Sequence, residues 1–316
     1  MGEGRLPLTR RRGLALLAGL TVGPAIAQSL RVTLATATPG GGFPAFGKSF
    51  AAAIRTRDPD LIIDLRPSGG SAENIALLER GEVDLALVQG SYAYRALGRH
   101  DGPKVLAPMY PTPGLFALRG DSAIKEVRDL AGRRVILGTH NSGLTILGRA
   151  VLTASGLDPD RDVMPIFLEH AGEGPAMIRD GRAAALWGGG IGWPGFVAVA
   201  DAPGGARFLA PSANAIDALT REDQTLRRLT VPAHSFAGQE TPITTVGSWS
   251  FVLARPAFSP EAAYRIVRAL GQANGEMRVR HPQGGESDPR HLAGIVPLDA
   301  LNAGTSRYVA EVGDAR

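Results

Sequence analysis

Short apolar runs alternate along the chain with stretches in which apolar residues return every three or four positions. That alternation predicts strands joined by amphipathic helices, an α/β fold with mostly parallel sheets. Leu30 to Ala35 reads as a strand, followed by a glycine-rich turn over Pro39 to Gly42. The next helix places Phe46, Phe50, Ala53 and Ile54 on one face. Leu61 to Leu65 gives a second strand, and Ser68-Gly69-Gly70-Ser71 turns into a helix carrying Ile75 and Leu78 that Gly81 ends. Val83 to Val88 is a third strand, Leu115 to Leu118 a connecting strand, and Val135-Ile136-Leu137 opens a new unit. There the turn from Gly138 to Gly143 leads into a helix with Leu144, Leu147 and Val151. Gly247 to Ala254 reads as a second crossing strand, before a helix from Ser259 to about Gly275 with Ala263, Ile266, Val267 and Leu270 inward.

One pattern occurs twice. Leu78-Glu79-Arg80-Gly81 before Val83-Asp84-Leu85-Ala86 has the form of Ile178-Arg179-Asp180-Gly181 before Ala183-Ala184-Ala185-Leu186. In each, a helix ends at glycine and the chain re-enters the sheet, which fits two lobes built to one plan. The two crossing strands divide the chain into lobe one, 28–118 plus 250–316, and lobe two, 119–249. Two crossings make a hinge, and hinged lobes close around ligands.

The 316 residues suffice for two such lobes, and a charged fraction of 20% is ordinary for a globular chain. The net charge of +4 invites a nucleic-acid reading until it is located. Residues 1–27 hold four arginines and one glutamate; without them 30 basic residues face 29 acidic ones. No basic stripe interleaved with aromatics occurs elsewhere in the sequence, so nucleic acid is not an expected partner. The first segment itself reads as an export signal, residues 1–27. Arg10-Arg11-Arg12 is followed by the uncharged run Gly13 to Val22, then Pro24 and the small-x-small site Ala25-Ile26-Ala27. Thr9 to Leu14 also resembles a twin-arginine signal, so the route to the periplasm is either that or ordinary secretion. The sequence has no cysteine, which removes disulfides, thiolate metal sites and cysteine nucleophiles together. A second uncharged stretch, Ala183 to Ala200, is broken by Gly188-Gly189-Gly190, Gly192, Pro194 and Gly195, and so reads as strand, turn and helix start.

Three glycine/serine turns each follow a strand and start a helix: Thr38 to Phe43, Ser68 to Asn74 and Thr139 to Thr145. In open α/β sheets the C-terminal strand ends form the ligand crevice, where helix N-termini present unpaired N–H groups to anions. Ser71 and Ser142 either cap their own helices, contact a ligand, or do both. Gly42-Phe43-Pro44-Ala45-Phe46-Gly47-Lys48-Ser49 satisfies the phosphate-loop pattern, with Leu61-Ile62-Ile63-Asp64 imitating the strand that ends in a magnesium-binding Asp. The match is poor physically, because a phosphate cradle needs permissive backbone and this loop holds a proline and two phenylalanines. The six histidines show no metal-ligand spacing, no G-x-S-x-G elbow occurs, and Glu169-His170 with Glu173 reads as a solvated surface cluster. No cofactor, metal or catalytic constellation is expected. Trp187 and Trp193 flank a glycine turn and either wall a pocket or belong to the core.

These elements resemble the TAXI receptors, the extracytoplasmic binding proteins of one class of tripartite ATP-independent periplasmic (TRAP) transporters. The resemblance rests on Thr36 to Phe43, on Ser68-Gly69-Gly70-Ser71-Ala72-Glu73-Asn74 with Gly81-Glu82-Val83-Asp84-Leu85-Ala86 and Gln89, and on Leu130-Ala131-Gly132-Arg133-Arg134-Val135 with Gly138 and Ser142-Gly143. Val231-Pro232-Ala233, Gly238-Gln239, Thr244-Thr245-Val246-Gly247, Val296-Pro297-Leu298 and Tyr308-Val309-Ala310-Glu311 extend it to the C-terminus. It implies a two-lobed periplasmic-binding-protein-like (type II) fold and an interlobe cleft for a small organic acid or amino acid, glutamate-like or a dicarboxylate or oxoacid. It also implies delivery to TRAP membrane subunits without catalysis; a periplasmic sensory or regulatory protein using the same clamp is the alternative. The expected ligand contacts are Thr38, Gly41, Gly42, Phe43, Ser68, Ser71, Gln89, Thr139, Ser142, Trp187, Gly189 and Trp193. Phe43-Pro44 stands where the family has a tyrosine pair, which removes two hydroxyl groups from the first turn.

Overall fold

The computed structural model describes residues 1–2 and 29–313, so the export signal expected over residues 1–27 lies, but for its first two residues, outside the described residues. Ten strands form one continuous twisted sheet: β1 (Leu30–Ala35), β2 (Leu61–Arg66), β3 (Leu85–Gln89), β4 (Lys104–Arg119), β5 (Arg134–Gly138), β6 (Met164–Phe167), β7 (Ala185–Gly189), β8 (Ala206–Leu209), β9 (Arg227–Val231) and β10 (Ile243–Ala254). Among the described residues ten α-helices cover it: α1 (Gly42–Arg57), α2 (Ser71–Glu79), α3 (Gly90–Leu97), α4 (Gly143–Ala154), α5 (Gly174–Arg179), α6 (Pro194–Ala200), α7 (Ala213–Glu222), α8 (Pro260–Gln272), α9 (Asn274–Arg280) and α10 (Ala303–Gly313).

The sheet order, β2-β1-β3-β10-β4-β7-β5-β6, is nearly symmetric about its centre. On one side β1 pairs parallel with β2 and β3, and β3 pairs antiparallel with β10. On the other, β5 pairs parallel with β6 and β7, and β7 pairs antiparallel with β4. The repeated helix–glycine–strand pattern sits at equivalent places: α2 leads through Gly81 to β3, and α5 leads through Gly181 to β7. Gly81 (φ 68°) and Gly181 (φ 75°) are both left-handed, a conformation that a side chain would oppose.

The long strands β4 and β10 run antiparallel from Lys104↔Ala254 to Gly247↔Pro113 and join the halves. β4 starts eleven residues before the run Leu115 to Leu118 that the sequence suggested, because Pro108, Pro111 and Pro113 disguise its first part. Bulges beside Phe251 and Leu253 accommodate it against β10. From Gly114 onward β4 pairs with β7 and β8, so Leu115 to Leu118 belongs with the second half of the sheet. Strands β6, β8 and β9 and helices α3 and α7 went unread in the sequence. The helix expected from Ser259 to about Gly275 ends at Gln272, with Ser259 as its cap, and α9 follows after Ala273.

Each half has a core on both faces of its sheet. In the first, Phe46, Phe50 and Ile54 of α1 pack with Ile266, Val267 and Leu270 of α8, while Leu77 and Leu78 of α2 meet Phe251 and Leu253 across the sheet. In the second, Val135, Leu147, Val151 and Trp187 form one cluster and Ile136, Ile178, Leu186 and Phe196 the other. Each fully buried side chain of this size contributes roughly 1.5–3 kcal/mol. The bidentate Arg265–Asp58 pair (2.6 and 2.8 Å) ties the C-terminal end of α1 to α8.

The phosphate-loop look-alike is helix, not cradle. Gly42 opens α1, Pro44 sits in its first turn, and the exposed Lys48 lies on the face opposite buried Phe46 and Phe50. Asp64, the magnesium-site mimic, is exposed and pairs with Arg31 at 2.6 Å. The stretch Ala183 to Ala200 is β7, a glycine turn and α6, and no helix among the described residues is long and apolar enough to cross a membrane.

Candidate functional site

The symmetric winding brings the C-terminal ends of β1, β3, β5 and β7 to one line between the halves. A cavity of about 80 Å³ lies there, and eleven of the twelve expected contact residues line it: Thr38, Gly41, Gly42, Phe43, Ser71, Gln89, Thr139, Ser142, Trp187, Gly189 and Trp193. Ser68 does not. Its hydroxyl donates to Thr36 O at 3.3 Å and accepts from Gly70 N at 3.2 Å, which builds the turn rather than the cavity wall. Sequence reasoning missed Tyr110 and Thr112, which reach the wall from the proline-rich part of β4, and Leu137 and Leu144 from around the β5–α4 turn. The apolar residues Val105, Leu106, Ala107 and Met109 leading into Tyr110 were the signal that could have found it had the prolines not masked the strand.

Three helix N-termini face the cavity. α1 and α2 start after Gly41 and Gly70, which carry no side chain to cap them. Gly70 adopts φ 120°, and a Cβ there would lie 3.1 Å from Asn141 O of the other half. α4 is capped by Ser142, whose Oγ accepts from Leu144 N at 3.2 Å. Ser71 is not a cap. It is the first residue of α2, and its buried hydroxyl accepts from Gln89 N at 3.1 Å. α3 contributes no residue to the cavity wall, and the Gln89 side chain before it is occupied, accepting from Ser91 N at 2.9 Å while donating to Ser248 Oγ at 2.8 Å. First-turn N–H groups have no partner inside their helix, so α1, α2 and α4 direct donors and the positive ends of their dipoles at one volume. Each such end favours an anion by roughly 0.3–1 kcal/mol, and by up to about 2 kcal/mol when partly buried.

The side chains add aromatic surface and a few hydroxyls. Trp187 is both core and wall: it is 1% exposed, tilts against Phe116 with ring centroids 4.7 Å apart, and donates Nε1–H to Leu144 O at 2.7 Å. Trp193 lies across the start of α1, its ring 3.0 Å from where a Cβ of Gly42 would stand. Only glycine leaves the indole room there. Tyr110 stacks on His281 at 5.2 Å and meets Phe46 edge-on. Burial raises the Tyr110 phenol well above its usual pKa and lowers that of His281 to about 4, so both are neutral at ordinary pH. Thr139 is likewise buried, and neither its hydroxyl nor that of Tyr110 meets a partner among the described residues.

The two halves touch around the cavity. Ala72 N donates to Asn141 O and Gly172 N to Pro39 O, both at 3.3 Å, and Ala171 N donates to Thr38 Oγ1 at 3.4 Å. Ile191 N donates to Gln283 Oε1 at 2.8 Å, and Gln283 in turn donates to Pro111 O of β4. Glu169, His170 and Glu173 are exposed, as a solvated cluster should be, and no group of acidic and histidine side chains among the described residues could hold a metal. A larger open groove of about 740 Å³ lies between α1 and α8, but the charges on its floor include the Arg265–Asp58 pair that already satisfies itself.

Several solved solute-binding proteins share this fold. The chain is similar to malate-bound MatC from Rhodopseudomonas palustris, with 14% identity over 89% of this chain and 96% of that one and a TM-score of 0.55. It is similar to the alkanesulfonate-binding protein SsuA from Xanthomonas axonopodis pv. citri bound to MOPS, at 16% identity, 90% and 84% coverage and a TM-score of 0.50. A TctC solute-binding protein from Polaromonas matches at 15% identity, 92% and 100% coverage and a TM-score of 0.50. At such identities the likeness establishes the fold, the two-lobed type II periplasmic-binding-protein architecture with its cleft between the halves. The sequence carries the kinship itself: a family model matches residues 34–313, nearly all of the described chain, and the protein belongs to the NMT1-like family.

Proposed function

We propose that the chain is an exported solute receptor of the TAXI type, which captures a small organic acid or amino acid between its lobes and delivers it to TRAP membrane subunits. One observation carries this reading: helix N-termini from both halves of the sheet face a single cavity enclosed between those halves. A ligand that touches both sides binds the closed form better than the open one, and that difference in affinity shifts the population toward closure. We assign lobe one to 28–113 plus 250–316 and lobe two to 114–249, which moves the expected first crossing from residue 118 to Gly114, where β4 changes pairing partner. The chain is assigned no catalytic step, and its place is the periplasm, reached by cleavage after Ala27.

The test is direct. Protein purified from its native host should begin at Gln28 and release a small acid on unfolding, identified by mass spectrometry of the supernatant. After refolding without that acid, adding it back should raise the melting temperature, by about 2.7 kcal/mol of stabilisation at a hundred-fold excess over Kd. A chain that begins at Met1, releases no small molecule and gains no stability from any acid is not a periplasmic receptor.

A further inference from the structure

The cavity has no charged wall. All 21 residues that line it are uncharged, and seven of them are glycine. His281, stacked behind Tyr110, is neutral at ordinary pH. Positive potential therefore enters from one source, the N-terminal turns of α1, α2 and α4, and no carboxylate is present to meet an ammonium group.

A second observation, independent of the helices, points to the same volume. Tyr110 is 4% exposed and Thr139 8% exposed, both line the cavity, and neither hydroxyl has a hydrogen-bond partner among the described residues. Tyr110 Oη lies 3.3 Å from where a Cβ of Gly42 would stand, at the first residue of α1. The two side chains are buried yet their hydroxyl oxygens are not among the sealed unpartnered atoms, so both are free to bond something that enters the cleft. The rest of the wall is apolar: Phe43, Leu137 and Leu144 together with the ring of Trp187, whose N–H is already spent on Leu144 O. The volume also limits the guest. About 80 Å³ suits a small molecule rather than a bulky one.

We propose that the ligand is a small monocarboxylate with an apolar remainder, its carboxylate held by the first turns of α1, α2 and α4 with the Tyr110 and Thr139 hydroxyls, and its tail against Trp187 and Leu144. The inference rests on the receptor reading above and narrows it. A dicarboxylate would bury a second charge against apolar side chains with no cation to offset its lost hydration, and an α-amino acid would bury an unpaired ammonium. Phe43, the first residue of the Phe43-Pro44 departure, brings a ring without a hydroxyl to the same apolar wall.

Four probes of equal chain length separate the possibilities: butyrate, succinate, 2-aminobutyrate and butyramide, titrated by calorimetry into full-length protein stripped by unfolding and refolding. Butyrate should bind about 100-fold or more tighter than succinate or 2-aminobutyrate, and about tenfold or more tighter than butyramide. Tyr110→Phe, which keeps the ring and its stacking, should weaken butyrate about tenfold, and Thr139→Val should act in the same direction. Succinate or 2-aminobutyrate binding as tightly as butyrate overturns the monocarboxylate inference and leaves the receptor standing. So does release of a dicarboxylate or amino acid from the natively purified protein. Butyrate binding unchanged in both variants overturns the assignment of the two hydroxyls. If none of the probes binds and the native protein releases no small molecule, inference and receptor reading fall together.

Discussion

Gly143 opens α4 in one half of the sheet and lies against Gln89, at the end of β3 in the other. A Cβ on Gly143 would stand 2.6 Å from Gln89 Oε1 and 2.7 Å from Gln89 Cβ. Gln89 cannot yield cheaply, because its amide is held at both ends by Ser91 N and Ser248 Oγ and the residue is 2% exposed. Gly143→Ala therefore introduces an overlap that exists only while the halves are together. Overpacking of this kind costs about 1–3 kcal/mol. In the open form the two residues separate and alanine at the first helical position is well tolerated, so the penalty falls on the closed form. It should weaken ligand binding by about 5- to 150-fold, since apparent affinity scales with the population of the competent state. The melting temperature of the ligand-free protein should stay within a degree or two of wild type. Gly275→Ala, whose Cβ meets nothing within 4 Å, is the matched control and should change neither property. Calorimetric titration with the tightest-binding acid and melts of the stripped protein measure both quantities. A variant that binds normally but melts several degrees lower would mean that Gly143 and Gln89 belong to one rigid body, and the clamp argument would fail at its central contact.

Other consequences follow from single side chains. His281 has its pKa lowered from 6.5 to about 4 by burial beside Tyr110 and Phe46, so the unfolded chain binds a proton more readily than the folded one between those values. Stability should be fully present above pH 6.5 and fall as pH drops toward 4, with about 2–3 kcal/mol lost by pH 4.5. Urea melts of His281→Phe should show a shallower decline over that window, and parallel profiles would refute the attribution. Ser71→Ala removes the acceptor of the buried Gln89 N–H and should cost about 1–3 kcal/mol of stability, whereas Ser142→Ala removes a helix cap and should cost about 1 kcal/mol. Lys48→Ala should leave ligand affinity unchanged and ATP should not be hydrolysed, because Lys48 points away from the cavity; lysine-dependent hydrolysis would contradict the helix assignment of residues 42–49.

Much of this architecture was readable before the structure, and the rest was hidden for identifiable reasons. β3 announces itself because the uninterrupted apolar run Leu85-Ala86-Leu87-Val88 is what a strand buried on both faces requires. β6 is a four-residue strand with Met164 exposed and Pro165 inside it, so it carries no comparable signal. Helix α3 is short and buries only small residues fully, Gly90, Ser91, Ala93 and Ala96, while Tyr92, Tyr94 and Leu97 pack on the core partly buried, so no stripe of large apolar residues marks it. The positions of the three glycine/serine turns followed from strand-then-helix order, which is why eleven of the expected contacts share a cavity. Which serine of Ser68-Gly69-Gly70-Ser71 faces that cavity depends on Gly70 taking φ 120°, and neighbouring residue types do not specify that rotation. Tyr110 was lost for the opposite reason. Three prolines within six residues ordinarily mean a turn, and here the bulged register of β4 against β10 keeps them in a strand.

The clamp itself is tested most directly by small-angle scattering of the stripped protein with and without its acid at saturating concentration. Two halves joined by β4 and β10, with contacts on both sides of one cavity, predict a smaller radius of gyration when the ligand is present. An acid that binds at micromolar affinity or better yet leaves the scattering profile superimposable would contradict closure.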